Sequence, residues 1–560
     1  MSTSTASTAS TVSTAVEAHL HDLRARQAKS RSGRQPSETR HEAGESTLPG
    51  HIARQAARTP DRPAIVTAAE TLSYHQLDDQ SARLAGWMVE NGVRPGDRVG
   101  VFLPNGARFV VALLAVLRIG AVHVPVNPMF RAAELRHELT DAGPELVVTQ
   151  DTLRRALDEV REDTPVRTVL ADADWPRAVA HARHEPIADD LDALAALNYT
   201  GGTTGLPKGC EHTQRHMVYT ATAIDNGRMP TDEERARGIV SVCYLPIFWI
   251  AGENLGILAP LVSGGTSVLL TRWNAAEVLD AIETHGATTM AGTVENYLEL
   301  LDHPDFARHD LTSLSSPLTV SFVRKLTPSL RARWKAAVGE HSVLREASYG
   351  MTETHTSDTN TLGFQDGDRD LLSDPVFCGL PVPGTDFMVV DFATGEPLPL
   401  GERGEIVVRG PSVLTRYWRA PDATASALRD GWLHTGDIGA LDEEGCLHYL
   451  GRDKDMIKVK GMSVFPTEVE TLLAQHPDVL AAAVVAVEDP EAGQRPYAFA
   501  RTVPGATLTG DGLKEWAAQN MATYKVPNVV EILDELPLTP TGKIRKTELS
   551  VRATRTRPAP

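Results

Sequence analysis

The sequence predicts an α/β protein: a large N-terminal unit of parallel-rich sheets with helices, a β-rich subdomain, and a small α+β C-terminal domain. Three observations predict it. Short apolar runs alternate with helix-periodic segments from Ala64 to Met290, the signature of strand–helix units. From Phe387 the texture changes to short strands separated by glycine turns. After Gly451 helix and strand patterns mix over a short, compact stretch. A chain of 560 residues is long enough for several such units.

In chain order, Ala64–Val66 and Leu72–Tyr74 read as short strands, and His75–Asn91 as a helix stopped by Asn91-Gly92. Val99–Leu103 is a buried strand, Ala107–Ile119 a largely apolar helix ending at Gly120, and Ala121–Val126 the next strand. The alternation recurs through Ile239–Leu245, Ser267–Leu270, Ala275–Thr284 and Thr288–Met290. Phe387–Val390 and Gly404–Val408 open the β-rich part, and Pro466–Ala474 (helix) and Ala481–Val487 (strand) form the tail.

Composition narrows the function. The chain is 42% hydrophobic and 23% charged, as in a globular protein, and its net charge of -18 argues against a general nucleic-acid or anionic-membrane binder. Cys210, Cys243, Cys378 and Cys446 form no C-x-x-C pair, so neither a disulfide framework nor a structural zinc site is suggested. The Ser/Thr/Ala-rich start lacks the apolar core of a secretory signal. It reads, with the Arg- and His-rich run to Arg40, as a disordered extension (residues 1–47). The uncharged stretch between Glu253 and Arg272 carries Asn, Gly and Pro, so it reads as core and turns rather than a membrane span. A cytoplasmic location is the expectation.

The most informative segment is Asn198-Tyr199-Thr200-Gly201-Gly202-Thr203-Thr204-Gly205-Leu206-Pro207-Lys208-Gly209. Glycines let backbone amides approach an anion, hydroxyls donate further hydrogen bonds, and a lysine adds charge. The segment reads as a flexible polyphosphate-binding loop rather than a Gly/Thr turn between strands, although the Walker A spacing fails.

Here the sequence resembles the adenylate-forming superfamily of acyl- and aryl-CoA synthetases, peptide-synthetase adenylation domains and firefly luciferase. The likeness extends from Ala115–Pro128 through Tyr349-Gly350-Met351-Thr352-Glu353 and Gly431–Asp437 to Gly451–Lys454 and Pro540–Lys543. It implies an AMP-binding domain over 48–453, a mobile C-terminal domain over 454–550, and a disordered tail over 551–560. It implies ATP, Mg²⁺ and CoA as cofactors and a small carboxylic acid as substrate. A carrier protein or a second copy of the chain is compatible as a further partner.

By this resemblance Thr200, Gly201, Gly202, Thr203, Thr204, Gly205 and Lys208 cradle phosphate, with Thr204 also catalytic. Tyr349 stacks on adenine with Gly350 and Thr352 beside it, Glu353 holds Mg²⁺, and Asp437 and Arg452 reach the ribose. Lys543 touches the α-phosphate and the carboxylate during adenylation. Lys454 is the hinge about which the C-terminal domain turns, and Lys460-Gly461 then flank the channel for the CoA thiol arm. The implied reaction is ATP-dependent carboxylate–CoA ligation through an acyl-adenylate.

Three departures from the family pattern concern the acyl pocket. Trp249 stands where histidine is common, Pro317–Lys325 occupies the place of a Gly-Gly-Ala-Pro stretch, and Thr213-Gln214 replaces Thr-His. Glu253 and Glu295 fall in regions that line the pocket in relatives; they either bind a polar substrate group or sit at helix starts. The alternative function keeps adenylation but changes the acceptor: a diazotase joining nitrite to an aryl amine, or a stand-alone loader of a carrier protein. No fused carrier domain follows Lys543 in this sequence.

Overall fold

The protein is described from a computed structural model, over residues 5–41, 44–200, 207–321, 324–373, 376–460, 462–539 and 542–555, with side chains from residue 16 onward. Two sheets form the large unit. One has six strands in the order Thr168–Leu170, Leu146–Val148, Arg98–Val101, Val122–Pro125, Leu194–Tyr199, Gly209–Thr213, parallel except at the last pair. The other has seven, in the order Arg345–Glu346, Ser316–Val320, Thr289–Thr293, Val240–Cys243, Thr266–Leu269, Pro63–Val66, Thr71–Ser73, parallel except at the Thr71–Ser73 edge.

Ala107–Ile119 shows why the alternation is legible. Every residue of this helix except Arg108 is buried, and it shares one apolar core with strands of both sheets, including Val99, Val101, Ile65 and Leu269. A helix covered on all sides has no polar face to display, so its sequence is apolar apart from Arg108 and the buried Arg118, which pairs with Asp78. It stops at Gly120, whose φ of 79° a residue with a Cβ adopts poorly. The uncharged stretch after Glu253 forms Asn254–Leu258, a π-helical turn, then Ala259–Val262 and the Thr266–Leu269 strand, all packed inside. Among the described residues no helix is long and apolar enough to cross a membrane.

The β-rich part is antiparallel, in the order Thr359–Asn360, Val376–Pro381, Leu447–Arg452, Trp432–Leu441, Gly404–Arg409, Asp386–Val390. The C-terminal domain is built on Val479–Asp489 paired with Gly493–Thr502 and flanked by helices Pro466–Leu473, Gly510–Asn520 and Lys546–Arg555.

Residues 1–4, 42–43 and 556–560 lie outside the described residues; the rest of both expected disordered segments is placed in the fold. Thr5–Arg31 is a helix, and beyond residue 16 it is docked on the β-rich subdomain. Leu20 and Leu23 are buried, Arg24 grips Asp386 through two hydrogen bonds (2.8 and 2.6 Å), and Gln27 donates to the Gly445 carbonyl. Gln35 then donates to the carbonyls of Asn360 and Leu362, and the Arg40 amide to Asn226. The apolar stripe is too narrow to reveal the helix, because much of the docking is polar and its partners lie more than 300 residues away. At the other end, residues 551–555 continue the last helix, with Ala553 buried.

Candidate active site

Lys543 owes its position to a tight turn. Gly542 has a φ of 83° and donates to the Thr539 carbonyl, while Thr539 and Lys543 exchange hydrogen bonds: Thr539 N–H to Lys543 O (2.7 Å) and Lys543 N–H to Thr539 Oγ1 (3.0 Å). An added Cβ at residue 542 would impose strain there, so glycine before the lysine is a geometric requirement. The turn aims Lys543 at the large domain, with its ammonium 5.8 Å from the ring centroid of Trp249. Partial burial, and then the nearby Arg452 guanidinium, hold the Lys543 pKa below its ordinary value.

The space there is one cavity of about 1180 Å³ between the large unit and the C-terminal domain. Thr200, Lys208, Gly350, Thr352, Glu353, Arg452, Lys454 and Lys543 all line it. The stem of the glycine loop is closed by the Thr200 amide donating to Lys208 O (3.0 Å), with the Lys208 amide 3.3 Å from Thr200 Oγ1. Gly201, Gly202, Thr203, Thr204 and Gly205 lie outside the described residues, as does Gly461.

Glu353 sits in a short 3-10 turn, Thr352–Thr354. Its carbonyl accepts from the Leu414 amide (2.7 Å) and its Oε1 from the Tyr417 hydroxyl (2.9 Å). The Tyr417 ring in turn faces the Lys208 ammonium at 4.6 Å. Tyr417 is a site residue that sequence reasoning missed; nothing in Arg416-Tyr417-Trp418 signals that it joins two distant motifs. Behind this turn His355, Thr356 and Ser357 have φ of 57°, 70° and 61°, a conformation costly for non-glycine residues and most of all for β-branched threonine. Gly350 permits their close approach, since a Cβ there would lie 2.5 Å from the Ser357 nitrogen. Thr356 and Ser357 line the cavity, so the strained run forms its wall.

Asp437 and Arg452 are cross-strand partners, joined by an ion pair of 3.1 Å. Asp437 is buried, which raises its pKa, while Arg452 opposes that shift. The Tyr349 hydroxyl donates to Asp437 Oδ2 at 2.7 Å, and its ring packs among Phe387 and Tyr449. Tyr349 and Asp437 therefore lie just behind the cavity wall, whereas Arg452 forms part of it. Lys460 is not brought to the site at all: it occupies the exposed turn between Ile457–Val459 and Met462–Val464, its amide bonded to Ala492 O.

The two pocket carboxylates part company. Glu295 lies in the first turn of Val294–Asp302 and accepts from the Arg324 amide, away from the cavity. Glu253 is fully buried behind it, with Asn198 donating to its Oε2 (3.2 Å), and burial pushes its pKa up to about 8. Glu138, which does line the cavity, is also pushed up to about 8 by burial and by Asp141. Trp249 and Phe248 line the wall opposite Lys543, so the departure from histidine puts an aromatic face there.

Cationic groups from two domains, a carboxylate and a long cavity with apolar walls suit a phosphate-bearing and a partly apolar ligand together. Residues 52–418 match the family described as AMP-binding enzyme, and residues 468–543 its C-terminal domain. The chain belongs to the AMP-binding enzyme family. It is 33% identical over 500 residues to a feruloyl-CoA synthase from Amycolatopsis sp, covering 89% of this chain and 97% of that one. It is 31% identical over 531 residues to a long-chain-fatty-acid–CoA ligase from Escherichia coli O157:H7, covering 88% and 92%. Its fold matches ATP-bound MatB from Rhodopseudomonas palustris with a TM-score of 0.79, 29% identity, and coverage of 90% and 98%.

Proposed function

We propose that the protein is an ATP-dependent carboxylate–CoA ligase. The observation that carries this reading is the meeting of Lys543 and Lys454, from the C-terminal side, with Lys208 and Glu353 on one cavity that continues between the large-domain sheets and helices. Its relatives named as CoA ligases support it. The donor set suits a polyphosphate: lysine ammonium groups, an arginine and two threonine hydroxyls converge, as an anion of high charge requires.

In the first half-reaction a substrate carboxylate oxygen attacks the α-phosphorus of ATP, and pyrophosphate leaves with the bonding pair. Lys543 stabilises the negative charge that gathers between the two carboxylate and phosphate oxygens. Lys208 and the glycine loop hold the departing phosphates, and Arg452 with Asp437 orients the nucleoside, the Arg452–Asp437 pair opening to admit the ribose. Tyr349, once its hydroxyl leaves Asp437, supplies a face for adenine. Glu353 would hold Mg²⁺, which when bound neutralises charge on the pyrophosphate oxygens. In the second half-reaction the CoA thiol attacks the acyl carbonyl and AMP leaves. Rotation of the C-terminal domain at Lys454 would withdraw Lys543 and bring Lys460 and Gly461 toward the cavity.

Lys543→Ala tests the division of labour. It is expected to slow carboxylate-dependent pyrophosphate exchange by roughly 10²–10³, while thioester formation from supplied acyl-adenylate persists. Equal loss in both assays rejects the two-step assignment. Formation of adenylate without thioester in the unaltered protein, across a panel of acids with CoA, replaces CoA by another acceptor.

A further inference from the structure

The cavity has a second charged end. Thr289 and Thr293, at opposite ends of one strand, both line it, so it runs about 13 Å along the sheet. The strands are parallel, which gives the two ends different residues. Thr293, Val320 and the run to Gly350 lie at the carboxyl ends of the strands, toward Glu353. Thr289 and Ser316 each begin a strand and lie at the far end; Arg345 pairs in register with Leu318, midway along, and its guanidinium reaches back to Ser316, where Arg228 also lines the cavity.

Arg228 and Arg345 are both more than nine-tenths buried. The Nε and Nη1 atoms of Arg228 have no hydrogen-bond partner among the described residues. Its carboxylate neighbours, Asp225 and Glu234, stand 3.9 Å away, and Glu234 already accepts from Ser315 and caps its own helix at Thr231. Arg345 reaches Ser316 Oγ at 3.3 Å and Asn360 Oδ1 at 3.4 Å, both long contacts. Asp370, whose charge acts on Arg345, is gripped by Arg331 through two bonds. Burial first and the Arg228 charge next push the Arg345 pKa down to about 10, as expected where two guanidinium groups share a dry pocket. Such a pair is costly unless an anion completes it.

We infer that Arg228 and Arg345 form an anion subsite at the far end of the cavity for a second acidic group of the substrate, a carboxylate remote from the reacting one. The inference rests on the ligase reading for the reacting end only. A guanidinium pair offers ten N–H donors in planar forks, which match the two oxygens of a carboxylate. A methyl-terminated acid of the same length would instead leave both charges buried against hydrocarbon.

The test pairs each straight-chain or aromatic monocarboxylic acid with the dicarboxylic acid of equal length, using the full chain with ATP. Pyrophosphate release is expected to favour the dicarboxylate by about tenfold or more in kcat/KM at the length that spans the cavity. Arg228→Gln should erase that preference by raising KM for the dicarboxylate, with no loss for the monoacid, whose methyl end then meets one buried charge fewer. Calorimetric titration of the same dicarboxylate without ATP should show binding weakened about tenfold in Arg228→Gln. Equal turnover of both acids by the unaltered protein, or equal losses for both in the variant, overturns the subsite. If no acid is turned over but Arg228-dependent dicarboxylate binding persists, the subsite stands and the ligase reading falls. The absence of both turnover and binding overturns the subsite. Should Arg228→Gln fail to fold, the comparison of acids on the unaltered protein decides.

Discussion

The Tyr417 hydroxyl donates to Glu353 at 2.9 Å while the Tyr417 ring faces the Lys208 ammonium at 4.6 Å. One side chain thus couples the lysine of the glycine loop to the carboxylate of the Tyr349–Glu353 motif. The backbone reinforces the link: the Leu414 amide bonds the Glu353 carbonyl, and the Trp418 amide bonds the Gly209 carbonyl.

Tyr417→Phe keeps the ring and removes the hydrogen bond. A bond to a charged acceptor contributes about 1.5–3 kcal/mol, so adenylation should slow by roughly tenfold or more. The Mg²⁺ concentration for half-maximal rate should rise, because Glu353 loses the partner that orients it. An unchanged Mg²⁺ titration would detach Tyr417 from the metal-binding role of Glu353.

The lowered pKa of Lys543 sets a pH dependence. Adenylation needs the ammonium, so its rate should fall as pH rises through a pKa that lies below the ordinary 10.5. Stability moves the other way. Between the folded pKa and 10.5 the unfolded chain holds a proton that the folded chain has released, so unfolding free energy rises with pH across that window. Lys543→Arg should shift the alkaline limb of the pyrophosphate-exchange profile to higher pH, since arginine stays charged. An alkaline limb that does not move assigns it to another group.

Glu253 is the complementary case. Its folded pKa of about 8 exceeds the ordinary 4.5, so the folded state keeps a proton that the unfolded chain loses between those values. Its contribution to stability should therefore fall as pH rises from 4.5 to 8. Glu253→Gln should flatten part of that slope and raise Tm at pH 8.5 by at least about 2 °C. Glu138, raised to about 8, and the buried Asp358, Glu346 and Asp437, all raised by burial, should supply slope that remains in the single variant. A pH–Tm curve unaltered by Glu253→Gln would mean that Glu253 is ionised in the fold.

The N-terminal helix should behave as part of the domain. Leu20→Ala and Leu23→Ala each empty a buried position, and such truncations cost about 2–5 kcal/mol. The double variant should unfold at lower temperature and expose Arg24 and Arg26 to trypsin in the native state. Rapid cleavage of the unaltered protein at those arginines would show that the helix is not held.

Sequence alone determined the elements whose local pattern and tertiary role coincide. Ala107–Ile119 is apolar because it is enclosed, Gly120 ends it because φ must be positive there, and Gly542 precedes Lys543 because the turn requires it. The motif residues Lys208, Glu353, Arg452 and Lys543 were legible for the same reason: a short run of residue types states a chemistry. The tertiary structure decided what depends on distant partners. Leu20 and Arg24 dock on a sheet more than 300 residues away, so their helix carries too weak a stripe to read as anything but an extension. Tyr417 joins two motifs, Asp437 turns behind the wall to Tyr349, and Arg228, in the loop after helix Gln214–Asn226, shares a cavity with Arg345 more than a hundred residues away. Local pattern records burial and turn geometry; charge and hydrogen-bond pairing across the chain leaves no trace until the sheets assemble.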